Sequence, residues 1–269
     1  MSTRALARAR ITLRIRRQDT RAAMPHWEVF EVPLAPRLTL AEVLDRLAFL
    51  PLNARRERVA PVSYTWGCTG PGCVSCMLIA ARRPVPACET LVEELVAGGG
   101  TLVLEPMAKL GVVRDLLVES QKLRGARAQL HAFTTPAAPN DTALDSTANA
   151  PALSPLGLLL STCTRCGACI EACPETRTGG GFVGAAAIVA SQLADARDLA
   201  QSESQSALHT STTAHTNRHL ALAYEGGIHE CGDARQCVAV CPAKLPLDEV
   251  LGRASRDAFI ATFRIRSKP

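Results

Sequence analysis

Eleven cysteines among 269 residues carry the chemistry of this sequence, and they fall into three groups. The central group reads Cys163-Thr-Arg-Cys166-Gly-Ala-Cys169-Ile-Glu-Ala-Cys173-Pro174, a C-x2-C-x2-C-x3-C-P run. Three thiolates at this spacing close on one cubane iron–sulfur cluster without a long loop, and the fourth serves a second cluster. The run therefore asks for more cysteines downstream. Cys231, Cys237 and Cys241 answer it, the last followed by Pro242. Upstream, Cys68, Cys73, Cys76 and Cys88 show the C-x4-C-x2-C…C spacing of a [2Fe–2S] centre, which takes two thiolates per iron. Gly67, Gly70 and Gly72 let the backbone bend close to such a cluster and aim N–H groups at sulfur.

In the third group the same rhythm would place a cysteine at position 234, where Ala234 stands. A methyl group cannot hold an iron, so that cluster should lack a corner. The reading assigns [4Fe–4S] to Cys163, Cys166, Cys169 and Cys241, and [3Fe–4S] to Cys173, Cys231 and Cys237. With [2Fe–2S] on Cys68, Cys73, Cys76 and Cys88, no cysteine is left over. Asp233 beside the gap offers a carboxylate as a lesser alternative. Buried apolar cysteines or a zinc ribbon compete with this reading. Zinc takes ligands in fours, however, and the seven cysteines after residue 160 do not divide that way. Grouped spacing in a reduced compartment reads as metal binding.

These thiolates need a scaffold. Ile11, Leu13 and Ile15 alternate with polar residues, so residues 11–17 predict a half-buried strand, with Val29 to Val32 as its neighbour. Thr39-Leu-Ala-Glu42 is a capping box ahead of a helical face of Leu40, Val43, Leu44 and Leu47. Met77 to Ile79 predicts a strand, Arg82-Arg83-Pro84 a turn before Cys88, and Thr101 to Leu104 a final strand after Gly98-Gly99-Gly100. Strand, strand, helix and cysteine loop is the order of a plant-type ferredoxin fold. Residues 132–155, rich in Thr, Ala, Pro, Asn and Ser, read as a linker. It separates a domain at 1–131 from one at 156–269. Gly184 to Leu199 reads as an Ala-rich helix. Gln201 to Asn217, rich in Ser, Thr and His, reads as an exposed loop. Pro246 marks another helix start, with Leu247, Val250 and Leu251 on one side.

Composition is globular: 47% apolar and 20% charged, with only 4% aromatic, so the core must be aliphatic. The net charge of +5 suits an acidic partner and is too diffuse to argue for nucleic acid. No apolar run reaches the roughly 18 residues of a membrane helix, so membrane attachment would go through partners. The Arg-rich start, Met1 to Arg17, resembles an organelle targeting segment in composition, but the strand reading fits its alternation better.

Over nearly its whole length the chain resembles the iron–sulfur subunits of succinate dehydrogenase and quinol:fumarate reductase. The resemblance rests on the three cysteine patterns in this order, on Leu104-Glu-Pro-Met107 with Val112-Val-Arg-Asp-Leu116, on Phe182-Val-Gly-Ala185, and on Leu245-Pro246 after the last cysteine. It implies an α+β chain with an N-terminal β-grasp plant-type [2Fe–2S] ferredoxin domain and an α-helical bacterial-type ferredoxin domain. It also implies a seat between an FAD flavoprotein and a membrane anchor. Electrons would pass between FAD and quinone, the quinone lying near the [3Fe–4S] centre. The expected place is peripheral, on the cytoplasmic side of the inner membrane rather than the matrix side of a mitochondrion. The sequence departs from the family at Thr69 and Val74, where Arg and Gly are usual. After Cys173 comes Pro174-Glu175-Thr176 where many members place Trp, and after Cys231 comes Gly232 where many place His. Quinone-contacting side chains therefore do not carry over. No acid–base constellation is evident, which points to conduction without a reaction site.

Several other signals read more plainly. Gly179-Gly-Gly181-Phe-Val-Gly184 matches G-x-G-x-x-G but follows a cysteine loop rather than a strand, so it reads as a turn feeding a helix. His209, His215 and His219 have metal-like spacing but read as solvated within the polar stretch. His229, Lys244 and Arg235 read as surface groups, and Trp66 as loop packing.

Overall fold

The computed structural model describes residues 10–65, 67, 70, 73–96, 100–119, 121–132, 153–177, 180–204 and 208–266. The chain forms two compact units. One comprises Met1–Gln121 with Cys166–Ala172, and the other Lys122–Arg165 with Cys173–Pro269. The division therefore interleaves at the central cysteine run. Most of the expected linker, and the Gly98-Gly99 turn, lie outside the described residues.

In the first unit, β1 (Arg10–Arg17) pairs antiparallel with β2 (His26–Pro33), Leu13 opposite Phe30. Ile11, Leu13 and Ile15 are buried, as their alternation predicts. Helix α1 (Leu40–Phe49) starts with the expected capping box. Thr39 Oγ1 accepts the Glu42 N–H at 3.3 Å, and the Glu42 carboxylate accepts the Thr39 N–H at 2.8 Å. Its Leu40, Val43, Leu44 and Leu47 are all buried. β3 (Met77–Ala80) pairs antiparallel with β4 (Arg83–Pro86), and β5 (Thr101–Glu105) runs parallel to β1 and antiparallel to β3. The sheet order is β2-β1-β5-β3-β4. A parallel pair needs a long crossover, and the crossover from β1 to β5 contains α1, the first cysteine group and the short α2 (Val92–Leu95). The turn expected at Arg82-Arg83-Pro84 sits one residue earlier. Ala81 and Arg82 take positive φ values of 47° and 64°, and Arg83-Pro84 already belongs to edge strand β4, where proline sacrifices no ladder bond. A small hairpin, β6 (Val112–Arg114) with β7 (Leu117–Val118), follows β5, so Thr101–Glu105 is not the last strand.

The side chain of Arg17 closes this unit. It is buried and donates to Asp115 at 2.9 Å, to Glu28 at 2.5 Å, and to the Ala60 carbonyl at 3.0 Å. Burial pushes the Asp115 carboxyl up, but the Arg17 hydrogen bond and the Ser63 and Gln18 amides outweigh it and hold it below the usual range. The pair ties β1 to the hairpin.

The second unit is helical: α3 (Gln121–Gln129), α4 (Pro155–Ser161), α6 (Ala185–Ser204), α7 (Leu208–Tyr224), α8 (Gln236–Ala239) and α9 (Leu247–Arg266), with α5 (Ala168–Ala172) counted in the first unit. Small residues allow close packing. A Cβ on Gly157 would lie 3.1 Å from the Ala196 Cβ, so α4 rests against α6. Helix α9 buries Leu247, Val250, Leu251, Ala254, Ala258 and Ala261 as one stripe. The expectation of an exposed loop at 201–217 is corrected. The described residues there belong to α6 and α7. Helix propensity is weak in this stretch, but burial of Arg218, His219, Ala221 and Leu222 fixes its continuation. Arg218 donates to Asp195 at 2.6 Å and also reaches Asp198, clamping α7 to α6.

Removing a partner from a buried, hydrogen-bonded ion pair strands the other charge at a cost of about 3–5 kcal/mol. Arg17→Leu should therefore lower the urea midpoint of the first unit strongly, whereas Arg10→Leu, in an exposed pair with Glu31, should change stability by less than about 1 kcal/mol. Equal midpoints for the two variants would contradict the role given to Arg17.

Candidate metal centres

The first cysteine group lies in the loop before β3. Cys68, Thr69, Gly72 and Trp66 fall outside the described residues. The Cys73 N–H donates to the Gly70 carbonyl at 3.1 Å. The Cys76 sulfur accepts the Cys88 N–H at 3.4 Å, and the Ala87 N–H donates to the Cys76 carbonyl at 3.2 Å. Cys76 and Cys88 are thus held together from opposite ends of the β3–β4 hairpin. Gly67 and Gly70 take φ values of +104° and +116°, which glycine alone adopts freely. Val74, buried, sits at φ +41°, a strained position for a β-branched residue. This is the position at which the resemblance led one to expect glycine. Tyr64 stands nearby. Burial, its 2.5 Å hydrogen bond to Asp45, and the Asp45 and Cys76 charges all raise its phenol pKa, so it stays protonated.

Cys173, Cys231 and Cys237 all lie in the second unit. Burial pushes the Cys237 thiol up, the Val238 amide opposes this, and the Cys173 and Cys231 charges push it further. Cys237 thus lies in the field of two other thiols, an arrangement that cationic iron would relieve. Thr176, three residues after Cys173, is buried, with its hydroxyl unpartnered among the described residues. Such an orphan donor fits a neighbouring group that accepts hydrogen bonds, as cluster sulfur does. Ala234 is exposed between Asp233 and Arg235, whose φ values are +51° and +54°. Asp233 is exposed and pairs with Arg235 at 3.4 Å, so its carboxylate is engaged in an ion pair.

Cys163 follows α4, its N–H donating to the Leu160 carbonyl at 3.2 Å. Cys166 precedes Gly167, at φ +81°, where a Cβ would strike Leu110 at 2.7 Å. Cys169 is buried on α5, and Cys241 follows α8, its N–H donating to the Val238 carbonyl at 3.3 Å. Cys166 and Cys169 belong to the first unit, Cys163 and Cys241 to the second. Beside Cys163, Arg127, Arg165 and Arg197 line a cavity of about 160 Å³. Burial lowers the Arg127 pKa, the Arg165 charge lowers it further, Cys163 opposes, and Arg197 adds to the lowering. Sequence reading missed these arginines. Only Arg165 stands inside the motif, and nothing in the sequence brings Arg127 or Arg197 to it. Arg235 and Lys244 are surface groups, as expected, and His229 is exposed. His219, by contrast, is buried and His215 half-buried, so neither is a solvated loop histidine. The side chain of His209 lies outside the described residues.

The chain matches the family described as "2Fe-2S iron-sulfur cluster binding domain" over residues 12–124, and "4Fe-4S dicluster domain" over residues 159–245. These matches, with the fold, define a two-domain α+β iron–sulfur protein. It is 29% identical to the succinate dehydrogenase iron-sulfur subunit of Bacillus subtilis, over 93% of each chain. It is 26% identical to the fumarate reductase iron-sulfur subunit of Wolinella succinogenes, over 91% of this chain and 96% of that one. A chain of the Mycobacterium smegmatis Sdh1 complex in the apo form shares the fold, with a TM-score of 0.64 at 16% identity, covering 94% and 97% of the two chains. Over nearly its whole length the chain is thus similar to iron–sulfur subunits of succinate dehydrogenase and fumarate reductase.

Positive charge beside a thiolate ligand stabilises the reduced, more negative cluster. If Cys163 holds a cluster, Arg165→Gln should lower the midpoint potential of that centre and leave the [2Fe–2S] midpoint unmoved. Redox titration followed by EPR checks this, and an unchanged midpoint would remove the electrostatic role.

Proposed function

We propose that this chain is the electron-transfer subunit of a succinate:quinone oxidoreductase. It conducts between the FAD of a flavoprotein partner and quinone at a membrane anchor, within the respiratory oxidation of succinate in the tricarboxylic acid cycle. The observation that carries the reading is the order of the three cysteine groups on a β-grasp unit followed by a helical one. Cys68, Cys73, Cys76 and Cys88 would hold [2Fe–2S]. Cys163, Cys166, Cys169 and Cys241 would hold [4Fe–4S]. Cys173, Cys231 and Cys237 would hold [3Fe–4S]. When bound, such clusters exchange single electrons at potentials set by cluster type, burial and hydrogen bonds to sulfur. The chain's own residues supply those settings: the Cys88 amide on Cys76, the buried Thr176 hydroxyl and the three arginines beside Cys163. Ala234 leaves the third centre one ligand short.

Among the described residues no helix is long and apolar enough to cross a membrane. The reading therefore places the chain peripherally, held by an anchor on the cytoplasmic face. Glu175 and Thr176 follow Cys173 where relatives often carry Trp. A Cβ on Gly232 would meet the Glu175 carboxylate at 3.4 Å, so a polar group stands beside this position. On this reading the quinone is either held differently by this chain, with menaquinone as its substrate, or held mostly by the anchor. The similarity to fumarate reductase subunits favours one second reading, the same wire run in the direction of fumarate reduction.

Ala234→Cys tests the cluster assignment. It should convert the three-iron centre to a four-iron one, abolishing the EPR signal of the oxidised complex while the [2Fe–2S] signal persists on reduction. An oxidised-state signal that survives would contradict the vacancy at position 234. The chain freed of its flavoprotein should not reduce fumarate with a chemical donor. Turnover by the isolated chain would defeat the conduction-only reading.

A further inference from the structure

The α6–α7 hairpin carries a cluster that the electron wire does not use. His215 and His219 stand four residues apart on α7, hence on one face, and Asp195 faces them from α6. The His219 Nε2 lies 2.9 Å and the His215 Nε2 3.9 Å from the same Asp195 Oδ2. The three ligand atoms all lie within 4.8 Å of one another. Donors bound at about 2.0–2.1 Å to one tetrahedral ion are roughly 3.3 Å apart, and the two observed distances bracket that value. We propose that Asp195, His215 and His219 form a zinc site that staples α6 to α7, with water as the fourth ligand.

The surroundings fit the role. Arg218 takes the other carboxylate oxygen, Oδ1, at 2.6 Å, which leaves Oδ2 turned to the histidines. A second partner that orients a ligating carboxylate in this way is a regular feature of metal sites. Asp195 and His219 are buried, while the His215 side chain is 39% exposed, giving an entry path and room for water. The imidazole rings are 4.0 Å apart, which is crowded for two cations and suitable for two neutral ligands. The other charges facing the site are Asp198, paired with Arg218, and Asp257, whose field reaches His215 from α9. Asp257 is itself paired with Arg253 at 3.8 Å, so Arg218 and Arg253 offset part of the negative charge around the site. Two imidazoles and one carboxylate suit zinc, whereas calcium or magnesium would want an all-oxygen set.

The test uses the intact complex, stripped of loosely held metal with a mild chelator and titrated with zinc sulfate alone. His215→Ala is the informative variant because its side chain is half-exposed and its loss leaves the Arg218 clamp in place. His26→Ala, on β2, is the control. The complex should bind one zinc beyond its iron, with a nitrogen and oxygen shell in X-ray absorption at about 2.0–2.1 Å. His215→Ala should weaken that binding at least ten-fold and His26→Ala should not. No additional zinc, a sulfur shell near 2.3 Å showing that zinc has gone to cysteines, or unchanged affinity in His215→Ala would each overturn the site.

Discussion

Thiolates repel one another, and iron can reconcile them only where the backbone has already brought the sulfurs together. That constraint governs the second unit. Cys173 and Cys237 are separated by the whole α6–α7 hairpin, yet Cys237 feels the charge of both Cys173 and Cys231. The hairpin returns the chain to its starting point because Arg218 is buried between Asp195 and Asp198 and because α9 packs its apolar stripe across both helices. A guanidinium satisfied in this way fixes helix register more sharply than aliphatic contacts among many alanines can, since alanine faces slide with little penalty. Where Gly227 approaches Gly181, an added Cβ would come within 2.7 Å of backbone, so the return is tight at its base as well.

The first unit solves the same problem with a sheet. Cys76 and Cys88 flank the β3–β4 hairpin, so two of the proposed ligands are fixed by strand pairing rather than by loop conformation. The remaining loop depends on left-handed backbone at Gly67, Gly70 and Val74. Valine is poorly suited to that region, and its side chain is nonetheless buried. Burial of an aliphatic side chain worth roughly 1.5–3 kcal/mol is of the same size as the strain of about 1–3 kcal/mol, which shows how a residue other than glycine can persist there.

Much of this was legible in the sequence because it was local. Alternation wrote β1, the Thr39–Glu42 box wrote the start of α1, and cysteine spacing wrote the order of a 2Fe-2S domain followed by a 4Fe-4S one. The failures were non-local. The Ser/Thr/His stretch read as a loop because its propensity is weak, and only its partners on α6 make it a helix. Arg127 and Arg197 reach Cys163 through helix packing that no spacing encodes. The burial of Arg17 was invisible because an arginine at the end of an alternating strand looks like a polar position until Asp115 is brought to it. Thr176 carries no signal beyond its distance from Cys173.

The account stands on the partition of the thiols among iron clusters. Quantifying iron and zinc in the intact complex, against protein determined by amino-acid analysis, tests it most directly. Two-, four- and three-iron centres require about nine irons on this chain, with any zinc confined to about one ion. An iron content near half that figure, with several zinc ions making up the difference on cysteine sulfur, would contradict it.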